Sequence, residues 1–190
     1  SSSPYKDGAG RGSGFSDPGE ILLFPAAAYG PAKMWSAERY SELIRLLLDR
    51  GWPVRLVGTE SDRAFLESIA DLPDYSSVRP SVSSSTSIPD LMRLIASSRA
   101  VISCDSGPAH LASALGRPVV VLFFSTDPAR TLPLGFAVRP LVSAVPCRPC
   151  FLRTCPIGYL CRDAVTPASC IRRLDDLFDG PRDRDLNQKI

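Results

Sequence analysis

Short apolar runs alternate along this chain with longer segments in which apolar residues recur every three or four positions. The short runs are typical of buried strands, and they occupy residues 21–24, 53–57, 100–102 and 118–124. The longer segments have the spacing of one helix face. They predict one helix from Ser36 to Arg50, ended by Gly51, and further helices beginning near Ser61, Ser87 and Gly107. Residues 73–86 predict a loop around a short strand near Val78.

Strands that alternate with helices predict an α/β fold with a doubly wound, Rossmann-like parallel sheet. Ligands of such sheets bind at the carboxyl ends of the strands. The polar loops of this chain all follow predicted strands, so they should converge on one edge of the sheet. These loops are residues 25–35, 58–60, 104–107 and 125–127.

Composition predicts one folded domain over residues 20–180. Residues 1–19 are rich in Ser, Gly and Pro and are interpreted as a flexible linker or leader, and residues 181–190 as a polar tail. A hydrophobic content of 44% and a charged content of 22% are ordinary for a globular protein. The net charge of +2 gives no electrostatic footprint for nucleic acid. No apolar run in the sequence has the length of a membrane span.

The most informative segment is Ser-Cys-Asp-Ser-Gly-Pro-Ala-His at residues 103–110, between a predicted strand and helix. A helix N-terminus presents free N–H groups and favours anions, commonly phosphate. Gly107 allows a ligand to approach the backbone, and His110, the single histidine, falls in the first helical turn. The alternative interpretation is a capped helix start with a surface histidine.

Two other loops carry charged candidates. Lys33 lies in a loop of small residues and can supply a point charge for phosphate, or it can be an ordinary solvated lysine. Glu60 can accept hydrogen bonds from a ribose diol, or it can serve as a first-turn glutamate favoured by the helix dipole. Asp105 can contact a ligand or fix its own turn.

Several segments, in order, resemble glycosyltransferase family 9, the lipopolysaccharide heptosyltransferases. The matching segments are Gly-Pro-Ala-Lys-Met-Trp at 30–35, Leu-Val-Gly-Thr-Glu at 56–60, Ser-Ile-Pro-Asp-Leu at 87–91, Asp-Ser-Gly-Pro-Ala-His at 105–110 and Thr-Asp-Pro at 126–128. The resemblance implies the C-terminal domain of a GT-B-type enzyme, which holds a nucleotide-sugar donor, typically ADP-heptose.

The resemblance also implies roles for individual residues. Lys33 would meet the donor phosphates, Glu60 would hold the ribose, and Thr86 would contact the adenosine. Gly58 would also belong to the donor-binding site. The diphosphate and sugar site would consist of Asp105, Ser106, Gly107 and His110. Departures from the family pattern occur at Ala28, Tyr29, Phe124, Ser125 and Leu132.

The family's N-terminal domain, which carries the acceptor site and the general base, has no counterpart among these residues. We therefore expect the donor half of an inverting glycosyltransferase of lipopolysaccharide core synthesis, with no catalytic base of its own and inactive alone. Its acceptor would bind a missing domain or a partner chain. The resemblance implies no required cofactor and a cytoplasmic location, peripheral to the inner membrane. The alternative is a non-catalytic nucleotide-binding or interaction module with a structural zinc loop.

Four of the six cysteines cluster within residues 145–165, the cysteine-rich segment. Cys147, Cys150, Cys155 and Cys161 have the spacing C-x2-C-x4-C-x5-C, and four thiolates can bind structural zinc. An iron–sulfur cluster, reduced thiols and disulfides are the alternatives. Cys104 comes at the end of the predicted central strand, and Cys170 lies on a further predicted helix that begins at Thr166 and Pro167. Both are interpreted as buried packing.

Overall fold

Six parallel strands form one sheet at the centre of the protein. The computed structural model describes residues 19–72 and 79–179. The leader (apart from Gly19), the polar tail and the strand expected near Val78 lie outside these residues. The strands are β1 (Ile21–Phe24), β2 (Val54–Val57), β3 (Ser81–Ser83), β4 (Ala100–Cys104), β5 (Val119–Phe123) and β6 (Val138–Val142).

The strand order is β3-β2-β1-β4-β5-β6, and every neighbouring pair is parallel. The chain moves outward from β1 to β3 and then returns to β4 on the other side of β1. Leu22 of β1 is aligned with Arg55 of β2 and with Val101 of β4. The connections therefore reverse direction between β1 and β4, which is the point where doubly wound sheets bind ligands.

Seven helices accompany the strands in the described part of the chain. They are α1 (Ala37–Leu48), α2 (Arg63–Ala70), α3 (Ile88–Ser97), α4 (Gly107–Ala114), α5 (Pro128–Thr131), α6 (Leu160–Asp163) and α7 (Pro167–Phe178). Ser36 is the N-cap residue of α1 and Gly51 follows its end at φ +72°, close to the predicted bounds. The helix expected from Ser61 begins instead as a 3-10 turn over Glu60–Asp62 and becomes α-helical at Arg63.

Both faces of the sheet are covered by helices. Alternate residues of the central strands therefore pack in two different apolar cores, one on each face. Ile21 and Leu23 pack in the core shared with α1, α2 and α7, whereas Leu22 and Phe24 pack in the core shared with α3 and α4. Each fully buried Leu, Ile or Phe contributes about 1.5–3 kcal/mol relative to exposure. This two-sided burial explains why the strands read as continuous apolar runs in the sequence.

Strand β6 was missed by the sequence analysis. Its sequence, Val-Arg-Pro-Leu-Val, contains Pro140, and proline within an apolar run argues against a central strand. The structure resolves the conflict by placing β6 at the edge of the sheet, paired only with β5. Across residues 19–72 and 79–179, no helix is long and apolar enough to cross a membrane.

Candidate functional site

A cavity of about 690 Å³ opens at the carboxyl edge of the sheet, beside the reversal between β1 and β4. Phe24, Val57 and Leu91 supply apolar lining, and the loops after β1, β2 and β3 and the start of α4 supply small polar residues. Five of the predicted site residues line this cavity: Gly58, Glu60, Thr86, Ser106 and Gly107. A largely apolar cleft with a few convergent polar groups is the usual form of a small-molecule site.

Lys33 is fixed beside this cavity by Asp105. Its Nζ lies 2.7 Å from Asp105 Oδ2 and donates a second hydrogen bond of 2.9 Å to the Asp105 carbonyl. The side chains are only 12% and 4% exposed. Lys33 is therefore not a solvated surface lysine. Asp105 has a role that the sequence analysis did not consider, since it holds the Lys33 ammonium. Neither residue lines the cavity itself, but Asp105 directly precedes Ser106, which does.

The loop over residues 25–35, called the Lys33 loop below, also places an aromatic ring against this ammonium. Lys33 Nζ lies 4.8 Å from the centroid of the Tyr29 ring, within the range of a cation–π contact. A 3-10 turn over Pro31–Lys33 follows Gly30, whose φ of +139° is readily adopted only by glycine. Tyr29 and Gly30 thus set the path from which Lys33 reaches Asp105.

The start of α4 offers open backbone to the cavity. Gly107 is the first helical residue, and a methyl group added at its Cα would contact no atom within 4 Å. The first N–H groups of a helix have no partner within that helix. The Ser106 hydroxyl, by contrast, donates to the Cys104 carbonyl at 3.2 Å and lies 3.1 Å from Ser103 Oγ. The backbone, more than this hydroxyl, is therefore available to an anion.

Glu60 lies on the opposite side of the cavity, at the start of the 3-10 turn that precedes α2. Its carboxylate accepts two hydrogen bonds of 2.7 Å from the Arg63 guanidinium. These hydrogen bonds lower the pKa of Glu60 below its ordinary value, so the side chain remains an ionised acceptor. Gly58 has a packing role as well, because a Cβ there would lie 3.0 Å from Asp62 Cβ and 3.1 Å from Leu66 Cδ1.

His110 and Thr86 are placed differently from each other. Thr86 is exposed and lines the cavity, whereas His110 is exposed on the first turn of α4 and does not line it. The role expected for His110 at the sugar side therefore stays a prediction. His110 lies in the first turn of α4, as predicted, because the helix begins at Gly107.

The cysteine-rich segment surrounds a second, much smaller cavity of about 90 Å³. Cys147, Cys150, Cys155 and Cys161 all line it, and all six cysteines of the chain are free thiols. Cys147 is exposed, Cys150 and Cys155 are half-buried and Cys161 is buried. Burial, and after it the charges of the other three sulfurs, raises the pKa of the Cys161 thiol.

The structure does not support the expected zinc site. Among residues 19–72 and 79–179, no group of three or more Cys, His, Asp or Glu side chains is arranged to hold a metal ion. The same finding gives no support to an iron–sulfur cluster. No disulfide joins the four clustered cysteines, which all lie in the described part of the chain. Cys104 and Cys170 are fully buried, as expected, and burial raises the pKa of Cys104 to about 12.

Sequence analysis missed two arginines that join the cysteine-rich segment to the edge of the sheet. Arg148 donates to the carbonyls of Phe124 and Thr126 after β5. Arg153 donates to the carbonyls of Ala28 and Tyr29 in the Lys33 loop. Both make side chain to backbone contacts across more than twenty residues, and nothing in the sequence pattern signals them.

Comparison with known proteins gives independent evidence on the family of this chain. The family model for glycosyltransferase family 9 (heptosyltransferase) matches residues 5–160. The chain belongs to this family. It is 36% identical over 121 residues to lipopolysaccharide heptosyltransferase 2 of Escherichia coli K12, covering 63% of this chain and 35% of that protein. It is 33% identical over 141 residues to lipopolysaccharide heptosyltransferase 1 of Pseudomonas aeruginosa, covering 73% of this chain and 39% of that protein.

A solved structure agrees with both matches. The E. coli ADP-heptose lps heptosyltransferase II superimposes with a TM-score of 0.70 at 30% identity, over 86% of this chain and 47% of that one. The predicted fold class, a Rossmann-like doubly wound sheet forming the C-terminal domain of a GT-B-type glycosyltransferase, is confirmed. The family predicted from the sequence motifs is confirmed too. The chain spans about 35–39% of the length of these two curated relatives.

Proposed function

We propose that this chain binds a nucleotide-diphosphate sugar, ADP-heptose, as the donor half of an inverting glycosyltransferase of lipopolysaccharide core synthesis. The observation that carries the proposal is the Lys33–Asp105 pair beside the open N-terminus of α4, next to a cavity of nucleotide size. One cation and one helix terminus meet at the point where the sheet connections reverse. ADP-heptose appears in the name of the E. coli structure that this chain matches.

In this assignment, the nucleoside lies in the apolar part of the cavity and the diphosphate extends toward α4. Glu60 accepts hydrogen bonds from the ribose diol, with Gly58 beneath it and Thr86 on the adenosine side. The Gly107 backbone N–H and the Lys33 ammonium lie on the diphosphate side. His110, on the next exposed position of α4, is assigned to the sugar side.

The chemistry of the transfer divides between two sets of groups. An acceptor hydroxyl attacks the anomeric carbon from one face, which requires a base to remove its proton. The diphosphate leaves from the other face, and its growing negative charge requires fixed positive groups. The residues of this site supply the second set, through Lys33 and the α4 terminus. We infer that the base and the lipopolysaccharide acceptor site belong to another domain or a partner chain.

Calorimetric titration with ADP, UDP, adenosine and ADP-heptose tests the proposal directly. We expect ADP and ADP-heptose to bind more tightly than adenosine, because the phosphates add charge-assisted contacts. Binding of adenosine and ADP with equal affinity would refute the phosphate site. Preference for UDP over ADP would refute the assignment of adenine as the nucleobase but would leave the proposed phosphate site intact.

A transfer assay tests the division of labour. We expect the 190-residue chain to transfer no heptose to a lipopolysaccharide core acceptor by itself. Transfer at the rate of a full-length relative would contradict the assignment of the base to a different polypeptide segment. We also propose that the protein works in the cytoplasm, peripheral to the inner membrane. The six free thiols support a reducing compartment.

A further inference from the structure

The Arg153 side chain connects the cysteine-rich segment to the Lys33 loop. Its Nε donates to the Tyr29 carbonyl at 2.6 Å and its Nη2 to the Ala28 carbonyl at 3.3 Å. The same guanidinium lies 5.5 Å from the centroid of the Tyr29 ring. A planar fork of this kind can hold two neighbouring carbonyls at once, which a single ammonium group cannot do with the same geometry.

The backbone of Arg153 takes part in the same junction. Its carbonyl accepts a hydrogen bond of 3.0 Å from Ala32 N–H, inside the 3-10 turn that ends at Lys33. Gly30 passes so close that a Cβ at this position would lie 2.8 Å from the Arg153 oxygen. The Tyr29 hydroxyl also donates to the carbonyl of Phe151. The loop is therefore attached on both sides of Gly30.

This junction reaches Lys33 through Tyr29. The Tyr29 ring has Lys33 Nζ at 4.8 Å and the Arg153 guanidinium at 5.5 Å. Arg153 fixes the carbonyl of Tyr29, the Phe151 carbonyl fixes its hydroxyl, and the ring in turn lies against the ammonium. Arg153 is itself exposed and does not line the donor cavity, so it acts on the cavity only through the loop.

We propose that Arg153 is a positioning residue that holds the Lys33 loop so that the Lys33 ammonium faces the donor diphosphate. This inference rests on the function proposed above. It makes the cysteine-rich segment a structural support of the phosphate side of the site. Because hydrogen bonds at an exposed arginine contribute little to global stability, the effect of Arg153 should be seen in phosphate affinity more than in melting temperature.

Arg153→Ala and Arg153→Lys test the proposal, with Arg173→Ala as the matched control. Arg173 is an exposed arginine of α7, paired with Asp176 and outside the cavity lining. Titration of the full chain with ADP and adenosine should show ADP affinity falling about five- to tenfold in Arg153→Ala, with adenosine affinity unchanged. Arg153→Lys should recover little of this loss, because an ammonium group lacks the planar, fixed fork with which the guanidinium holds the two carbonyls. Arg173→Ala should match the unaltered protein.

A double-mutant cycle with Lys33→Ala separates positioning from general support. If Arg153 acts through Lys33, Arg153→Ala should change ADP affinity less than about twofold when Lys33 is already alanine. Equal losses for ADP and adenosine, additive losses in the cycle, or full rescue by Arg153→Lys would overturn the inference. The last result would mean that only the charge of Arg153 matters.

Hydrogen exchange gives a readout that needs no ligand. In Arg153→Ala, and in Gly30→Ala as a second variant, amides of residues 26–34 should exchange faster while those of residues 100–115 stay protected. Equal acceleration in both regions, or none in either, would overturn the inference. If the unaltered chain prefers ADP and Arg153→Ala preserves that preference, the inference fails alone. If the unaltered chain shows no such preference, the proposed function fails, and exchange still decides whether Arg153 holds the loop.

Discussion

Removal of the Lys33 ammonium is the sharpest perturbation of the proposed donor site, because its two effects have different sizes and different readouts. Lys33→Ala leaves the Asp105 carboxylate, 4% exposed, without the cation that lies 2.7 Å from it. Breaking a buried ion pair by deleting one partner costs about 3–5 kcal/mol of stability. Since the Lys33 side chain retains 12% exposure, we expect a loss near the lower end, about 3 kcal/mol.

The second effect of Lys33→Ala is on ligand affinity. A charge-assisted hydrogen bond to a phosphate contributes about 1.5–3 kcal/mol, which corresponds to a loss of roughly 10- to 150-fold in ADP affinity. Adenosine has no phosphate, so its affinity should change by less than about twofold if the cavity is intact. The difference between the two ligands, more than either value alone, measures the phosphate role of Lys33.

Denaturant unfolding and calorimetric titration of matched variants separate the two effects. Lys33→Met keeps most of the apolar stem and removes the ammonium with its charge and its two hydrogen bonds to Asp105. Combining it with Asp105→Asn also removes the unpaired carboxylate. We expect the double variant to regain most of the lost stability while its ADP affinity stays low. Losses of equal size for ADP and adenosine, or recovery of ADP affinity together with stability, would refute the phosphate role of Lys33.

Three further predictions use other parts of the molecule. Gly107→Ala should leave the free energy of unfolding unchanged or raise it by up to about 1 kcal/mol, because the added Cβ meets no atom within 4 Å. The same methyl group should weaken ADP binding, because it fills space that the ligand would occupy. Unchanged ADP affinity in calorimetry would contradict this prediction. At pH 8, iodoacetamide should label the exposed Cys147 before Cys161, because the raised pKa of the buried Cys161 thiol leaves little thiolate. The labelling rate of Cys161 should continue to rise at pH values above those at which an ordinary thiol is fully ionised. Mass spectrometry of timed samples measures the order of labelling. Trp35→Phe should cost about 1–2 kcal/mol in thermal unfolding, because the indole N–H donates to the carbonyls of Arg162 and Val165; an unchanged melting temperature would contradict it.

The fold was predictable because its determinants are local or repetitive. Strands such as Ile21–Phe24 are buried on both faces and so appear as short apolar runs. Their alternation with amphipathic helices such as α1 admits few topologies. The exceptions are informative. Strand β6 carries Pro140, which is tolerated because the strand lies at the edge, and the edge position is a property of the whole sheet that residues 138–142 do not reveal.

The site was predictable only as a set of loops. The sequence indicated that Gly58, Glu60 and Gly107 follow predicted strands, and the parallel sheet brings them to one cavity. The contacts between loops could not be predicted in this way. The Lys33–Asp105 bond joins residues 72 positions apart, and the Arg153–Tyr29 bond joins residues 124 positions apart.

The cysteines show that a sequence motif can also suggest a site that the structure does not support. Their spacing suggested a metal, because spacing alone reports which thiols can approach one another. Whether they bind a metal depends on how their side chains are arranged around one point, and among residues 19–72 and 79–179 no group of three or more Cys, His, Asp or Glu is arranged in this way. Arg148 and Arg153 attach the same segment to the loops after β5 and β1. Under the role proposed for Arg153, the residues that connect this segment to the site are ones that the spacing motif does not single out, because they act through backbone carbonyls that have no sequence signature.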